Sequence, residues 1–336
     1  MAIVFSIAAL LALGLAYQGI ESYRDRRRFR PLGRVVAVGQ SKLHLHEQGS
    51  GAPAVLLEAG LAATSLGWSL VQPEIATFTR VCSYDRAGLG WSEHARPPAP
   101  RTVQQMVSEL SEALAATRIG PPYILVGHSF GGLLIRAYAS LSPEHVAGLV
   151  FVDPVSLESW AKCDAGSRRK LMYGIRLSRR GAILARFGLV RAALTLLARG
   201  GRRVPKLMGR AAAGEGAVVM QRLVGEVQKL PPEIWPMVRS HWSNPKSFRA
   251  MAEYLECLPA SAEAAIAMPL PPGVPFVVLS AANATDREIA ERDEWVRGNA
   301  IGRHVRVEGT GHWIQLERPD VVVDAVRELV DRCRRS

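Results

Sequence analysis

Serine is a weak nucleophile until a histidine takes its proton and a carboxylate orients that histidine, so chemistry of this kind needs three residue types brought together. The chain offers each of them in an informative context. Ser129 lies in Gly127-His128-Ser129-Phe130-Gly131-Gly132, between the apolar run "YILV" and the apolar segment "LLIRAYASL". This is GxSxG where a strand turns sharply into a helix, the setting that gives the pattern its meaning. Small residues at Gly127 and Gly131 let strand and helix approach closely, and the serine is expected on a strained turn with its hydroxyl projecting from the sheet. A glycine-rich helix start that binds phosphate, or simply turns the chain, is the plainer alternative.

Of eight histidines, His312 sits in the Gly-rich loop "EGTGHW", after a late strand and before the last helix. A base in the chain order serine, acid, histidine belongs there. His44, His46, His94, His145, His241 and His304 read as surface or sheet residues, and His128, fixed in the elbow itself, reads as shaping the pocket. Two aspartates compete for the acid. Asp153 ends the strand "GLVFVD", at a sheet edge where functional groups collect. Asp286 follows the strand "VPFVVLSA" after the longer loop "ANAT". Asp153 is preferred, with Asp286 as the alternative; either could instead serve a turn or a helix cap.

The elements that must position these residues alternate along the chain. Short β-rich runs "RVVAVG", "KLHLHEQ", "AVLLEAG" and "RVCSYDRAG" come first, then helical and strand patterns in turn, closing on "DVVVDAVRELVDRC". That rhythm predicts an α/β fold, a mostly parallel sheet with helices on both faces. Thr102 and Gln105 form a T-x-x-Q helix start ahead of Met106, Leu110, Leu114 and Ile119 at helical spacing. Cys82, Cys163, Cys257 and Cys333 are widely spaced without a CxxC or Cys/His pattern, so they read as thiols, and neither a metal nor a cofactor is expected.

These segments resemble the α/β-hydrolase superfamily over roughly residues 33–333, through "LLEAGLAATSLGW", "VCSYDRAGLGWS", "GHSFGG" and "EGTGHW". The resemblance implies a catalytic triad and an oxyanion hole made by the backbone N–H groups of Leu61 and Phe130. Many members carry His-Gly where this chain has Ala59-Gly60, which matters little because only backbone donors are needed. Members with the acid after the penultimate strand have it in a shorter loop, where this chain has Asn283 and Ala284. Epoxide hydrolases and haloalkane dehalogenases of this fold use Asp at the place of Ser129, so an acyl-enzyme route is implied. The expected activity is that of a serine esterase or lipase; a peptidase or other non-ester hydrolase, and a non-catalytic ligand-binding member, are the alternatives.

The remaining features concern location. Residues 2–20 carry no charge, and about 19 helical residues span roughly 28 Å, one bilayer core. Arg24, Arg26, Arg27, Arg28 and Arg30 follow, so the positive-inside rule puts the enzyme on the cytoplasmic side of a single-pass N-terminal anchor. The expected organisation is a transmembrane anchor (1–22), a basic linker (23–32), a hydrolase core (33–155 and 266–336) and an inserted helical cap (156–265). The net charge of +12 concentrates in that cap, with thirteen Lys or Arg and no acid between Arg168 and Arg210. Read with "ILARFGLVRAALTLLA", this is a basic amphipathic helix on a membrane surface, or else a solvated charged face. No nucleic-acid motif accompanies the charge. A small apolar or lipid-like ester is the expected substrate.

Overall fold

The computed structural model describes residues 1–198 and 229–335. Two compact units emerge: Gly33–Asp164 with Cys257–Ser336, and Met1–Leu32 with Ala165–Glu256.

The first unit is built on eight strands, β1 (Arg34–Val38), β2 (Ser41–Gln48), β3 (Ala54–Glu58), β4 (Val81–Asp85), β5 (Tyr123–His128), β6 (Val146–Val152), β7 (Phe276–Ala281) and β8 (Gly302–Val307). They lie in the order β1-β2-β4-β3-β5-β6-β7-β8. Pairing is antiparallel at β1-β2 and β2-β4 and parallel from β4 to β8. Every residue of β3, β4, β5 and β7 is buried, as expected of strands covered on both faces. Val55, Leu57, Val126, Val150, Val277 and Leu279 form one core with Val322, Val326 and Leu329 of the last helix, Pro319–Arg335.

This order decides where a site can form. The chain leaves β3 for β4 on one side, then places β5 on the other, so the connections diverge between β3 and β5 and open a crevice at their carboxyl ends. The register then sets neighbours. Glu58 pairs with Gly127, and His128 with Val152, so the residues just past β3, β5 and β6 stand side by side, neighbouring strands being about 4.8 Å apart. Thr102 does cap the helix Val103–Ala115, accepting from the Gln105 N–H at 3.3 Å, while the Gln105 side chain turns to Glu109.

In the second unit the helix Ala2–Arg28 is long and apolar enough to cross a membrane, and most of its surface is exposed. It is not a detached tether. Gln18 is buried, donating to the Ser243 carbonyl at 2.9 Å and accepting from Arg191 Nε at 3.0 Å. Arg191 is buried too and pairs with Asp25 at 2.5 Å. Gly14 lies so close to the Phe187 carbonyl that a Cβ would stand 2.7 Å from it. The single basic helix expected over 183–198 is instead broken into Ala165–Arg186 and Leu189–Ala198. Gly188 makes the break at φ 74°, a left-handed conformation that ends a helix cheaply only at glycine. Arg199, Arg202, Arg203, Lys206 and Arg210 fall outside the described residues.

Candidate active site

Ser129 follows β5 directly and caps the helix Phe130–Leu141 with φ 54° and ψ −116°. A non-glycine residue in this region is strained and is held there only by its surroundings. Those surroundings are visible: the Ser129 N–H donates to the Val152 carbonyl at 2.9 Å, and the Ser129 carbonyl accepts from Gly132 at 3.0 Å. A Cβ on Gly127 would meet the Gly131 backbone at 2.6 Å, and one on Gly131 would meet the Glu58 backbone carbon at 2.9 Å, so both glycines are needed for the strand-to-helix turn. Gly60, past β3, is the other close neighbour, within 3.7 Å of Ser129 Cβ for a Cβ built on it.

Asp153 occupies the equivalent position past β6, also at positive φ (41°). Its N–H donates to the Leu279 carbonyl at 2.7 Å, which turns the side chain along the sheet edge. Oδ2 accepts from His312 Nδ1 at 2.6 Å, while Oδ1 accepts from Arg292 at 2.9 Å and from the Ala281 N–H at 3.2 Å. Burial works against the carboxylate, but the His312 hydrogen bond and the Arg292 charge outweigh it and hold the group at about 2. It is therefore ionised at neutral pH, and it fixes the His312 tautomer with Nδ1–H toward Asp153 and a lone pair on Nε2.

The loop that carries His312 is fastened at several points. Thr310 donates to the Val307 carbonyl at 2.7 Å, and its own carbonyl accepts from Ala282 at 3.2 Å. Gly311 N–H donates to Glu317 at 2.5 Å. The His312 ring stands 4.8 Å from that of His128 and 5.2 Å from Trp313, centroid to centroid. Burial depresses His128 to about 3, so it is neutral and its Nε2–H donates to the His312 carbonyl at 2.9 Å. That leaves His128 as a prop for the loop rather than a competing base. Cys82 is no rival nucleophile, because burial raises its thiol to about 12.

Of the sequence candidates, Ser129, Asp153 and His312 gather at one sheet edge, with Leu61 and Phe130 on the two chain segments flanking Ser129. Asp286 is placed apart from them: it is exposed in the first turn of the helix Asp286–Arg297, beside a capping box between Thr285 and Glu288. Three features escaped the sequence reading. Arg292 is buried and bridges Asp153, the Pro154 carbonyl and Ser280 Oγ. Behind it Ser280 Oγ meets His304 Nε2 at 2.7 Å, and His304 Nδ1 meets Asp293 at 2.6 Å, a serine-histidine-aspartate chain whose serine is wholly buried. At the carboxyl ends of β3 and β4, Glu58, Tyr84 and Arg86 form a buried polar cluster.

Comparison with known proteins agrees with this fold. The model of the alpha/beta hydrolase family matches residues 54–325. A Bacillus subtilis protein, YqjL, is 35% identical over 109 residues, 32% of this chain and 42% of its own length. The 2-hydroxy-6-oxo-2,4-heptadienoate hydrolase of Pseudomonas putida is 34% identical over 132 residues, 38% of this chain and 46% of its own length. The chain thus spans less than half the length of these curated relatives. Among solved structures, the enol-lactonase of Burkholderia xenovorans superposes with a TM-score of 0.58 at 21% identity, covering 89% of this chain and 100% of the other, a likeness of fold. With the family model spanning most of its length and the elbow, sheet order and histidine loop in place, the chain belongs to the alpha/beta hydrolase family.

Proposed function

We propose that the chain is a serine hydrolase that cleaves carboxylic esters through an acyl-enzyme on Ser129. The observation that carries this reading is the 2.6 Å pair between His312 Nδ1 and an ionised Asp153, at the same sheet edge as a serine strained to φ 54°. Ser129 Oγ attacks the ester carbonyl carbon while its proton passes to His312 Nε2. The carbonyl oxygen becomes an oxyanion facing the N–H groups of Leu61 and Phe130. Collapse expels the alcohol, which takes the proton from His312. Water then gives a proton to His312 and attacks the acyl group; the carboxylic acid departs and Ser129 recovers its proton. Asp153 stays ionised throughout, orienting His312 and stabilising its cationic form. Two backbone donors are expected to lower the barrier by about 3 kcal/mol each.

The long apolar helix supports a further part of the proposal, anchorage in a membrane with the catalytic unit on the cytoplasmic side. Exposed Arg168, Arg169, Lys170, Arg176, Arg179, Arg180 and Arg186 suit contact with anionic headgroups, each worth about 1 kcal/mol near the surface. Lipid-like esters are the substrates this arrangement would meet. The name of the Pseudomonas putida relative favours a second reading, hydrolysis of a non-ester bond at the same serine.

A panel of p-nitrophenyl esters of graded chain length, run beside p-nitroanilide amides on the full chain and on Ser129→Ala, separates the readings. Ester turnover that rises with chain length and vanishes in Ser129→Ala is expected. Turnover of amides alone would transfer the reaction to the second reading, and ester turnover retained by the variant would remove Ser129 from the mechanism.

A further inference from the structure

The segment "VCSYDRAGLGWS" carries family resemblance but supplies no group to the reaction above, and its two charged residues are both buried. Asp85 is the simpler of the two. It accepts from the Ser65 N–H at 2.8 Å, from the Trp91 N–H at 3.0 Å and from His44 Nδ1 at 2.9 Å, knitting three chain segments together. Arg86 does something more directed. Its guanidinium donates to three successive carbonyls of the loop after β3: Ala59 at 2.6 Å, Gly60, and Leu61 at 2.9 Å. The same group pairs with Glu58, which in turn accepts from Tyr84, and its carbon lies 5.2 Å from the centroid of the Phe130 ring.

The consequence lies in peptide geometry. A trans peptide is planar, so the C=O of one residue and the N–H of the next point in opposite directions from one rigid plate. Drawing the Gly60 carbonyl onto Arg86 therefore aims the Leu61 N–H away from Arg86, and Gly60 lies beside the elbow, where a Cβ built on it would stand 3.1 Å from His128 Nδ1 and 3.7 Å from Ser129 Cβ. We propose that Arg86 is a positioning residue for the oxyanion hole: it orients the Leu61 N–H by holding the Gly60 carbonyl, and it ties that loop to Phe130, which bears the other donor. A fork of several N–H groups can hold three carbonyls at once, where a lysine ammonium cannot do so with the same directions. Polarisation of the Gly60–Leu61 peptide by the cation also makes its N–H a better donor. Glu58 and Tyr84 fix the guanidinium from its other side; burial holds the Glu58 carboxyl above its usual range, against the opposing Arg86 charge and the hydrogen bonds from Tyr84 and Arg86.

The inference rests on the proposed acyl-enzyme mechanism, and the test keeps the two apart. In the full chain, Arg86→Lys is compared with wild type for ester turnover, for inhibition by an alkylboronic acid, which forms a tetrahedral adduct on Ser129, and for inhibition by the matching carboxylic acid. Arg86→Lys is expected to lose about 10²-fold in kcat with KM within threefold, the scale of one lost oxyanion donor. Boronic acid affinity should fall in parallel while carboxylic acid affinity holds. Turnover within threefold of wild type, or equal losses for both inhibitors, would overturn the positioning role. If circular dichroism shows Arg86→Lys unfolded, Tyr84→Phe takes its place: a smaller loss confined to kcat supports the role, and unchanged kcat overturns it. Should the wild type neither turn over esters nor react with a fluorophosphonate, the proposed function fails and this inference fails with it.

Discussion

The carboxyl edge of the sheet and the unit formed by residues 1–32 and 165–256 treat charge in opposite ways. At the sheet edge charged groups are buried and matched in fixed pairs, Asp153 with Arg292 and Glu58 with Arg86. In the second unit the described cations of the helix Ala165–Arg186 are exposed, interspersed with exposed Met172, Ile183 and Leu184. Arg191 is buried there, and it is held by Gln18 and Asp25 of the apolar N-terminal helix. Paired burial holds groups in fixed relation, as chemistry requires, whereas exposed mixed charge and apolar surface is the feature on which the proposed membrane contact rests.

The comparison can be broken first at the sheet edge, where effects should be largest. His312→Ala is expected to cut kcat about 10⁶-fold, because triad members act as a unit. Asp153→Asn is expected to lose about 10⁴-fold through the wrong imidazole tautomer, whereas Asp286→Asn, in an exposed first turn, should stay within twofold. Steady-state kinetics on one ester checks all three, and a reversed order of the two aspartates would move the acid to Asp286.

In the second unit the expected effect is on stability rather than rate. Replacing Gln18 and Asp25 together by alanine strips the buried Arg191 of two partners and is expected to cost about 3 kcal/mol. Hydrogen exchange in detergent micelles should then show faster exchange in the helices Leu189–Ala198 and Ala2–Arg28, with β5 and β6 unchanged. Equal loosening of the sheet would mean that the two units do not respond separately.

The smallest effect concerns pH. The Asp153 carboxyl lies at about 2 in the folded protein against an ordinary value of 3.8, so its pairing stabilises the fold above about pH 4 and that contribution disappears as pH falls toward 2. The difference corresponds to about 2 kcal/mol. Denaturant titrations between pH 5 and 2 should show this component in wild type and lack it in Asp153→Asn.

What the sequence discloses follows the same division. "GHSFGG" and "EGTGHW" are legible because elbow and loop are local structures, and Asp153 is legible from the strand it ends. Asp286 has a second reading in the sequence as well, because Thr285 and Glu288 form a T-x-x-E helix start that puts it in the first turn, where an acid suits the helix dipole. Arg86 and Arg292 are opaque for a physical reason: an arginine among acids, as in "ERDEW", reads as solvated, and only the folded chain reveals which carbonyls and carboxylates it reaches. The break at Gly188 is equally hidden, since one glycine in a helical pattern costs only about 1 kcal/mol and does not by itself end a helix. Nor does the uncharged run of residues 2–20 disclose that Gln18 is a partner for Arg191, because the interaction spans 173 positions.

The most direct test is labelling of the full-length protein in membranes with a fluorophosphonate, followed by peptide mass mapping, with Ser129→Ala alongside. The mechanism predicts a single adduct on the peptide containing Ser129 in wild type and none in a folded variant. Labelling of folded Ser129→Ala at the wild-type rate, or an adduct mapped to another residue, would contradict it.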